Sequence, residues 1–174
     1  MKNSVTTLSM LALTAGLAFQ LPAQALAGAA DDVQAAMELL KSKAAALGAP
    51  SVRGEDQIDG KSVPGLYFGT MMMDNNFALV DEVQRKMGGT ATLFVKNGSD
   101  FVRVATNVKK DDGTRAIGTM LDPKGKAMAA IAKDQSYYGE ATILGKPYIT
   151  GYEPIHDSKN TIIGVYYVGY PKAQ

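Results

Sequence analysis

One arginine interrupts the apolar run Phe101-Val102-Arg103-Val104-Ala105-Thr106. In an extended strand alternate side chains share a face, so Phe101, Arg103 and Ala105 would lie on one side and Val102, Val104 and Thr106 on the other. An arginine so placed has two uses. It can sit at a sheet edge with its stem on the surface and its head in water. Or it can offer a guanidinium fork to a carboxylate inside a pocket. A second polar stretch, Lys146-Pro147-Tyr148-Ile149-Thr150-Gly151-Tyr152-Glu153, raises the same choice. Tyr148, Thr150 and Tyr152 share one face, and Ile149, Gly151 and Glu153 the other. Tyrosines with apolar bodies and hydroxyl tips suit the wall of a small-molecule pocket, and equally an aromatic core stripe. Lys146 stands at the strand entrance, held extended by the proline after it.

Other chemistries find little support. The chain has no cysteine, which excludes disulfides, thiolate metal sites and C-x-x-C-H haem attachment. Its one histidine, His156, rules out a multi-histidine metal site and is expected to face solvent before a turn. No EF-hand pattern, G-x-S-x-G elbow or pair of acid–base carboxylates can be assembled. No catalytic residue, metal ligand or cofactor is therefore assigned, and an enzyme is not expected. Met71-Met72-Met73 fits an adaptable interaction surface or gap-filling beside a helix start. Asp111-Asp112-Gly113 reads as a solvated turn.

The 174 residues suit one domain with an appendage. Residues 1–27 have the form of a secretory signal peptide. Lys2 supplies a positive n-region, Val5–Phe19 an apolar h-region, and Ala25-Leu26-Ala27 a small-x-small cleavage pattern. The alternative is an uncleaved anchor. These residues hold one lysine and no acid, so 17 basic and 17 acidic side chains remain after cleavage. That balance argues against a nucleic-acid or anionic-lipid surface. A soluble, periplasmic product is expected.

The positioning elements follow from hydrophobic periodicity. Asp31 or Asp32 would cap a helix running to about Leu47, with Val33, Ala36, Met37, Leu40, Ala44 and Leu47 on its stripe. Residues 49–65, rich in Gly, Pro, Ser and charge, are expected as a loop or linker, and Leu66–Phe68 as a short extended piece. Asn75 or Asn76 would cap a second helix that buries Phe77, Val80, Val83 and Met87 and stops at Gly88-Gly89. Two strands around Asn97-Gly98 form a hairpin. A helical stretch opens at Asp122-Pro123. Three further strands, Tyr138–Leu144, Pro147–Ile155 and Thr161–Tyr170, close the chain. Gly164 and Gly169 either weaken the last strand or mark close approach of another backbone. The order implies an α+β fold with an antiparallel sheet.

The blocks SVPGLYFG, NNFALVDEVQRKMGGTATLFV, DFVRVATNVKKDDGTRAIGTMLDP, YYGEATILGKPYITGYEPI and IIGVYYVGYPK span residues 62–172. In order and spacing they resemble a single Cache domain of the Cache 3/Cache 2 fusion type, as in periplasmic sensing regions of methyl-accepting chemotaxis proteins. The resemblance implies a PAS-like fold: a five-stranded antiparallel sheet with a long N-terminal helix along it. With the signal peptide read above (1–27), it divides the rest of the chain into an N-terminal helix and linker (28–61) and the Cache domain (62–174). It implies binding of a small organic ligand, typically a short-chain carboxylate, between the sheet and its covering segments. Arg103 matches the family's basic strand residue, and Lys146, Tyr148 and Tyr152 match the polar positions of the GKPY-x-TGYEP block. Arg103 or Lys146 would take the carboxylate, with Thr106, Thr119 and Tyr138 as second-rank contacts. Signalling relatives continue through a membrane helix. This sequence stops at PKAQ, so a membrane partner is expected: a chemoreceptor, sensor kinase or transporter. The alternative is a protein-interaction module without a working pocket, pairing as a homodimer through residues 31–47.

Overall fold

Val33, Ala36, Met37, Leu40 and Ala44 recur at helical spacing, and all five are buried. They belong to α1 (Pro22–Leu47) in the computed structural model, which describes residues 22–172. Fully burying a side chain such as Met37 or Leu40 contributes roughly 1.5–3 kcal/mol. The helix begins upstream of the expected caps, so Asp31 and Asp32 are exposed residues within it. The expected signal peptide lies outside the described residues as far as residue 21. At its other end α1 stops where Gly48 takes a φ of +126°. A Cβ there would stand 2.6 Å from Gly69 Cα, so the close approach of these two backbones requires glycine.

Residues 49–65 are not a loop. β1 (Pro50–Ile58) and β2 (Lys61–Phe68) form an antiparallel hairpin, and β3 (Met71–Met72) adds a short strand beside β2. The hairpin turns on Asp59-Gly60, whose φ values are 50° and 76°. Asp-Gly is a favoured dipeptide for a two-residue turn whose twist matches its strands. The expected boundary between residues 61 and 62 therefore falls inside β2. α2 (Ala78–Met87) follows, burying Leu79, Val80 and Val83. Neither asparagine is its N-cap residue, but Asn76 Oδ1 accepts a hydrogen bond from Ala78 N at 3.2 Å. Lys43 and Glu82, 2.9 Å apart, tie α2 to α1.

The remaining elements are β4 (Thr90–Asn97), β5 (Asp100–Thr106), α3 (Lys126–Ile131), β6 (Tyr137–Ile143), β7 (Lys146–His156) and β8 (Ile162–Pro171). The five strands make one antiparallel sheet in the order β5-β4-β8-β7-β6. α1 and α2 cover one face through Leu93, Val95, Val102, Ile149, Ile155 and Val168. The other face carries a second apolar cluster of Phe94, Phe101, Tyr152, Val165 and Tyr167, with Ala127 and Ile131 of α3 and Leu121 of the preceding segment. Among the described residues no helix is long and apolar enough to cross a membrane.

The expected split of β5 into two faces holds only as far as Val104. Phe94 lies opposite Arg103, but Leu93 lies opposite Ala105, so Val104 is a bulge residue. Beyond the bulge the alternation inverts. Ala105 joins the α1-side cluster, and Thr106, opposite Thr92, returns to the face that carries Arg103.

Asp74, just before α2, is 8% exposed. Its Oδ1 accepts from Leu66 N at 3.2 Å, while its Oδ2 has no partner among the described residues. Burial pushes its carboxyl up to about 6; the Leu66 N–H opposes this and Asp56 adds to it. Because the folded state holds this proton more firmly than the unfolded state, Asp74 favours folding most at acidic pH. That advantage is lost as pH rises from about 4 through about 6. Asp74→Asn should therefore raise stability relative to wild type by about 1–2 kcal/mol at pH 7, with little gain at pH 4. Urea denaturation at both pH values measures the difference. An equal effect at both would show that the Asp74 charge is not what strains the site.

Candidate functional site

Period-two alternation and the antiparallel registers bring several expected residues to one place. Tyr152 of β7 lies opposite both Tyr137 of β6 and Tyr167 of β8. All three rings point to the α3 face, with Tyr152 and Tyr167 centroids 5.0 Å apart. Arg103 reaches the same face from β5, beyond Phe94 of β4. Between these strands and the segment 120–127 lies a cavity of about 410 Å³. Its most buried lining residues include Arg103 and Tyr152. Its sides are Tyr137, Ala141 and Ile143 of β6 together with Leu121 and Ala127, and its outer lining includes Met120, Asp122, Lys124, Lys126, Glu140 and Leu144.

Arg103 is 4% exposed, which removes the surface alternative left open by the sequence. Its Nη1 donates to Thr119 Oγ1, and the Thr119 hydroxyl donates onward to Ala116 O at 2.7 Å. The guanidinium carbon lies 4.9 Å from the Phe94 ring centre. Nε is buried without an acceptor, and no acid pairs with the side chain among the described residues. Burial lowers the guanidinium from its usual range, partly offset by Tyr167 and Tyr152. Arginine nevertheless remains a cation in a protein. Burial pushes the phenols of Tyr152 and Tyr167 upward, so neither supplies a negative charge. The site is a buried cation, held by Thr119, that lines a cavity of a size that holds a small metabolite.

The other expected contacts divide. Thr119 positions the Arg103 guanidinium. Thr106 shares the sheet face of Arg103, but its hydroxyl is 2.6 Å from Thr92 Oγ1 and accepts from Val108 N, outside the cavity lining. Tyr148 is half-buried against the apolar cluster and does not line the cavity. Lys146 is also outside the lining. Its side chain is 64% exposed and its Nζ lies 3.0 Å from Asp111. Tyr138 points to the opposite face, where its hydroxyl donates to Glu153 Oε1 at 2.5 Å. Glu153 also pairs with Lys41 of α1 at 2.8 Å. His156, expected in solvent, is partly covered and lies 2.7 Å from Asp134.

No local sequence pattern singles out Tyr137 or the segment 120–127 as cavity lining. Register carried the signal for Tyr137: a two-residue turn at Leu144-Gly145 places Ile143 opposite Lys146, and hence Tyr137 opposite Tyr152. Nothing periodic marks residues 120–127, which fold over the sheet through long-range contacts such as Leu121 N to Phe101 O at 2.9 Å.

The model of the Cache 3/Cache 2 fusion domain matches residues 13–174. No curated protein matches the sequence. The ligand-binding domain of the Campylobacter jejuni chemoreceptor Tlp3, solved with L-valine, is 14% identical with a TM-score of 0.44; the match covers 85% of this chain and 60% of that one. The sensory domain of the Campylobacter jejuni chemoreceptor Tlp3 (CcmL) is 12% identical with a TM-score of 0.41, over 85% and 61% of the two chains. The chain thus spans about three-fifths of the length of these sensory domains.

Proposed function

The chain belongs to the Cache 3/Cache 2 fusion domain family, and from that premise we propose that it is a periplasmic sensor module that binds a small carboxylate at Arg103 and reports occupancy to a membrane partner. One observation carries the carboxylate: the Arg103 guanidinium is buried beside the cavity with an unpartnered Nε and no counter-ion. A carboxylate in the cavity supplies the missing counter-charge. Residues 1–27 would direct export, and cleavage after Ala27 would leave most of α1 in the mature protein.

The strand pair β6–β7 supports a route for the report. Tyr137 and Tyr152 lie opposite each other on the cavity face. Their chain neighbours Tyr138 and Glu153 lie on the α1 face, where Glu153 holds both the Tyr138 hydroxyl and Lys41. A ligand that shifts Tyr137 or Tyr152 would therefore shift the attachment of α1.

Thermal unfolding against a panel of organic acids tests the binding. A carboxylate at one hundred times its Kd should stabilise the protein by about 2.7 kcal/mol, which for a chain of this size is a rise of roughly 5–11 °C. Lys146→Ala should retain that rise, since Lys146 lies outside the lining. No rise with any carboxylate would overturn the proposal, and loss of the rise in Lys146→Ala would move the site to the β6–β7 turn.

A further inference from the structure

We infer that the cavity selects a monocarboxylate with an apolar tail and no amino group beside the carboxylate, and so discriminates against the corresponding α-amino acid. This deepens the reading of Arg103 as a carboxylate site and rests on it.

The charge environment of Arg103 carries the first half. The charged or ionisable neighbours that influence it are Tyr167 and Tyr152, both phenols kept neutral by burial. In an α-amino acid the ammonium is one carbon away from the carboxylate. With the carboxylate on Arg103, the ammonium would be held close to the guanidinium, and the lining acid whose charge reaches Tyr152, Asp122, is exposed to solvent. Like charges in a desolvated site repel strongly. The two acids of the lining, Asp122 and Glu140, are exposed, so water and salt screen their attraction for an ammonium held at Arg103. Asp122 Oδ1 accepts from Lys124 N at 2.9 Å, and Glu140 Oε1 lies 2.6 Å from Lys172 Nζ.

The walls carry the second half. Leu121, Ala127 and Ile143 are buried apolar lining. Farther out, Met120 and Leu144 are 48% and 41% exposed, two of the few large apolar side chains that the fold leaves open to water. Both line this cavity. A tail leaving Arg103 along this wall would cover apolar surface that is otherwise wet. A second carboxylate has no buried cation to meet, because Lys124 and Lys126 are exposed.

The test is calorimetric titration of the secreted protein with matched pairs: isovalerate with valine, isocaproate with leucine, and hydrocinnamate with phenylalanine. Isocaproamide and glutarate serve as neutral and dianionic comparisons. The acid of at least one pair should bind about tenfold or more tightly than its amino partner. It should also bind more tightly than glutarate, and isocaproamide should be weak. Amino acids binding as tightly as their deamino partners would overturn this inference while leaving carboxylate binding intact. Glutarate binding tighter than every monoacid would overturn the apolar-tail half. The amide binding as well as the acid, or no acid binding at all, would overturn the Arg103 reading and this inference with it.

Discussion

Arg103→Met is expected to abolish carboxylate binding and to make the unliganded protein more stable. Both effects have one cause. In the empty site a cation is held out of water with no acid beside it, one hydrogen bond to Thr119, and Nε unpaired. Methionine keeps the length and packing of the stem against Phe94 and removes the charge. Replacing a buried, poorly compensated charge by an apolar side chain of similar volume often stabilises by about 1–4 kcal/mol. Thr119 loses little, because its hydroxyl still has Ala116 O as an acceptor. Binding moves the other way. Two charge-assisted hydrogen bonds from a guanidinium fork are worth roughly 1.5–3 kcal/mol each, so their loss weakens affinity more than about 100-fold. Urea denaturation without ligand and thermal shift with the best acid of the panel measure the two effects. A less stable Arg103→Met protein would mean that the arginine is already satisfied in the unliganded state. An unchanged thermal shift would place the ligand elsewhere.

The parts of this site that could be read from the sequence are those governed by local periodicity. The two faces of β7 follow from alternation alone, and the helical stripe of α1 from its spacing. Arg103 is legible as a residue with two possible roles, and its 4% exposure removes only the surface one. The failures have separate physical causes. The β1–β2 hairpin carries a strong turn signal in Asp59-Gly60, but the surrounding Gly, Pro and Ser residues make the flanking strands resemble a linker. Alternation alone puts Thr106 on the wrong face, because one bulge residue, Val104, resets it. Tyr148 shares the face of Tyr152 but not its surroundings. Face is a local property, whereas lining the cavity depends on where the segment 120–127 crosses the sheet. The sequence places Lys146 at the strand mouth, where β7 begins. Its partner there is Asp111 from a distant loop, and no pattern within either segment records that pairing.

Gly164→Ala is expected to be among the most damaging single-atom additions to this fold. In most exposed positions the same change would gain about 0.4–1 kcal/mol by restricting the unfolded chain. Here a Cβ would stand 2.3 Å from Phe94 O and 3.3 Å from Ile155 Cδ1. The sequence left two meanings for this glycine, a weak point in a strand or a close backbone approach, and the contact with Phe94 O selects the second. Neither backbone can retreat easily. β8 is the central strand, paired with β4 on one side and β7 on the other, and β4 is itself held between β8 and β5. The net cost should be about 3 kcal/mol, a fall in Tm of roughly 6–12 °C. Gly169→Ala supplies the comparison. Its nearest obstacle, at 2.3 Å, is the Tyr167 hydroxyl, the end of a side chain rather than a backbone atom. A side-chain tip can give way more readily, so Gly169→Ala should cost less. If Gly164→Ala is the milder of the two, the β4–β8 backbone yields more easily than its central position implies. A shift of the Phe94 backbone also moves the ring beneath Arg103. Gly164→Ala should therefore weaken carboxylate binding as well as stability, although no atom of Gly164 lines the cavity.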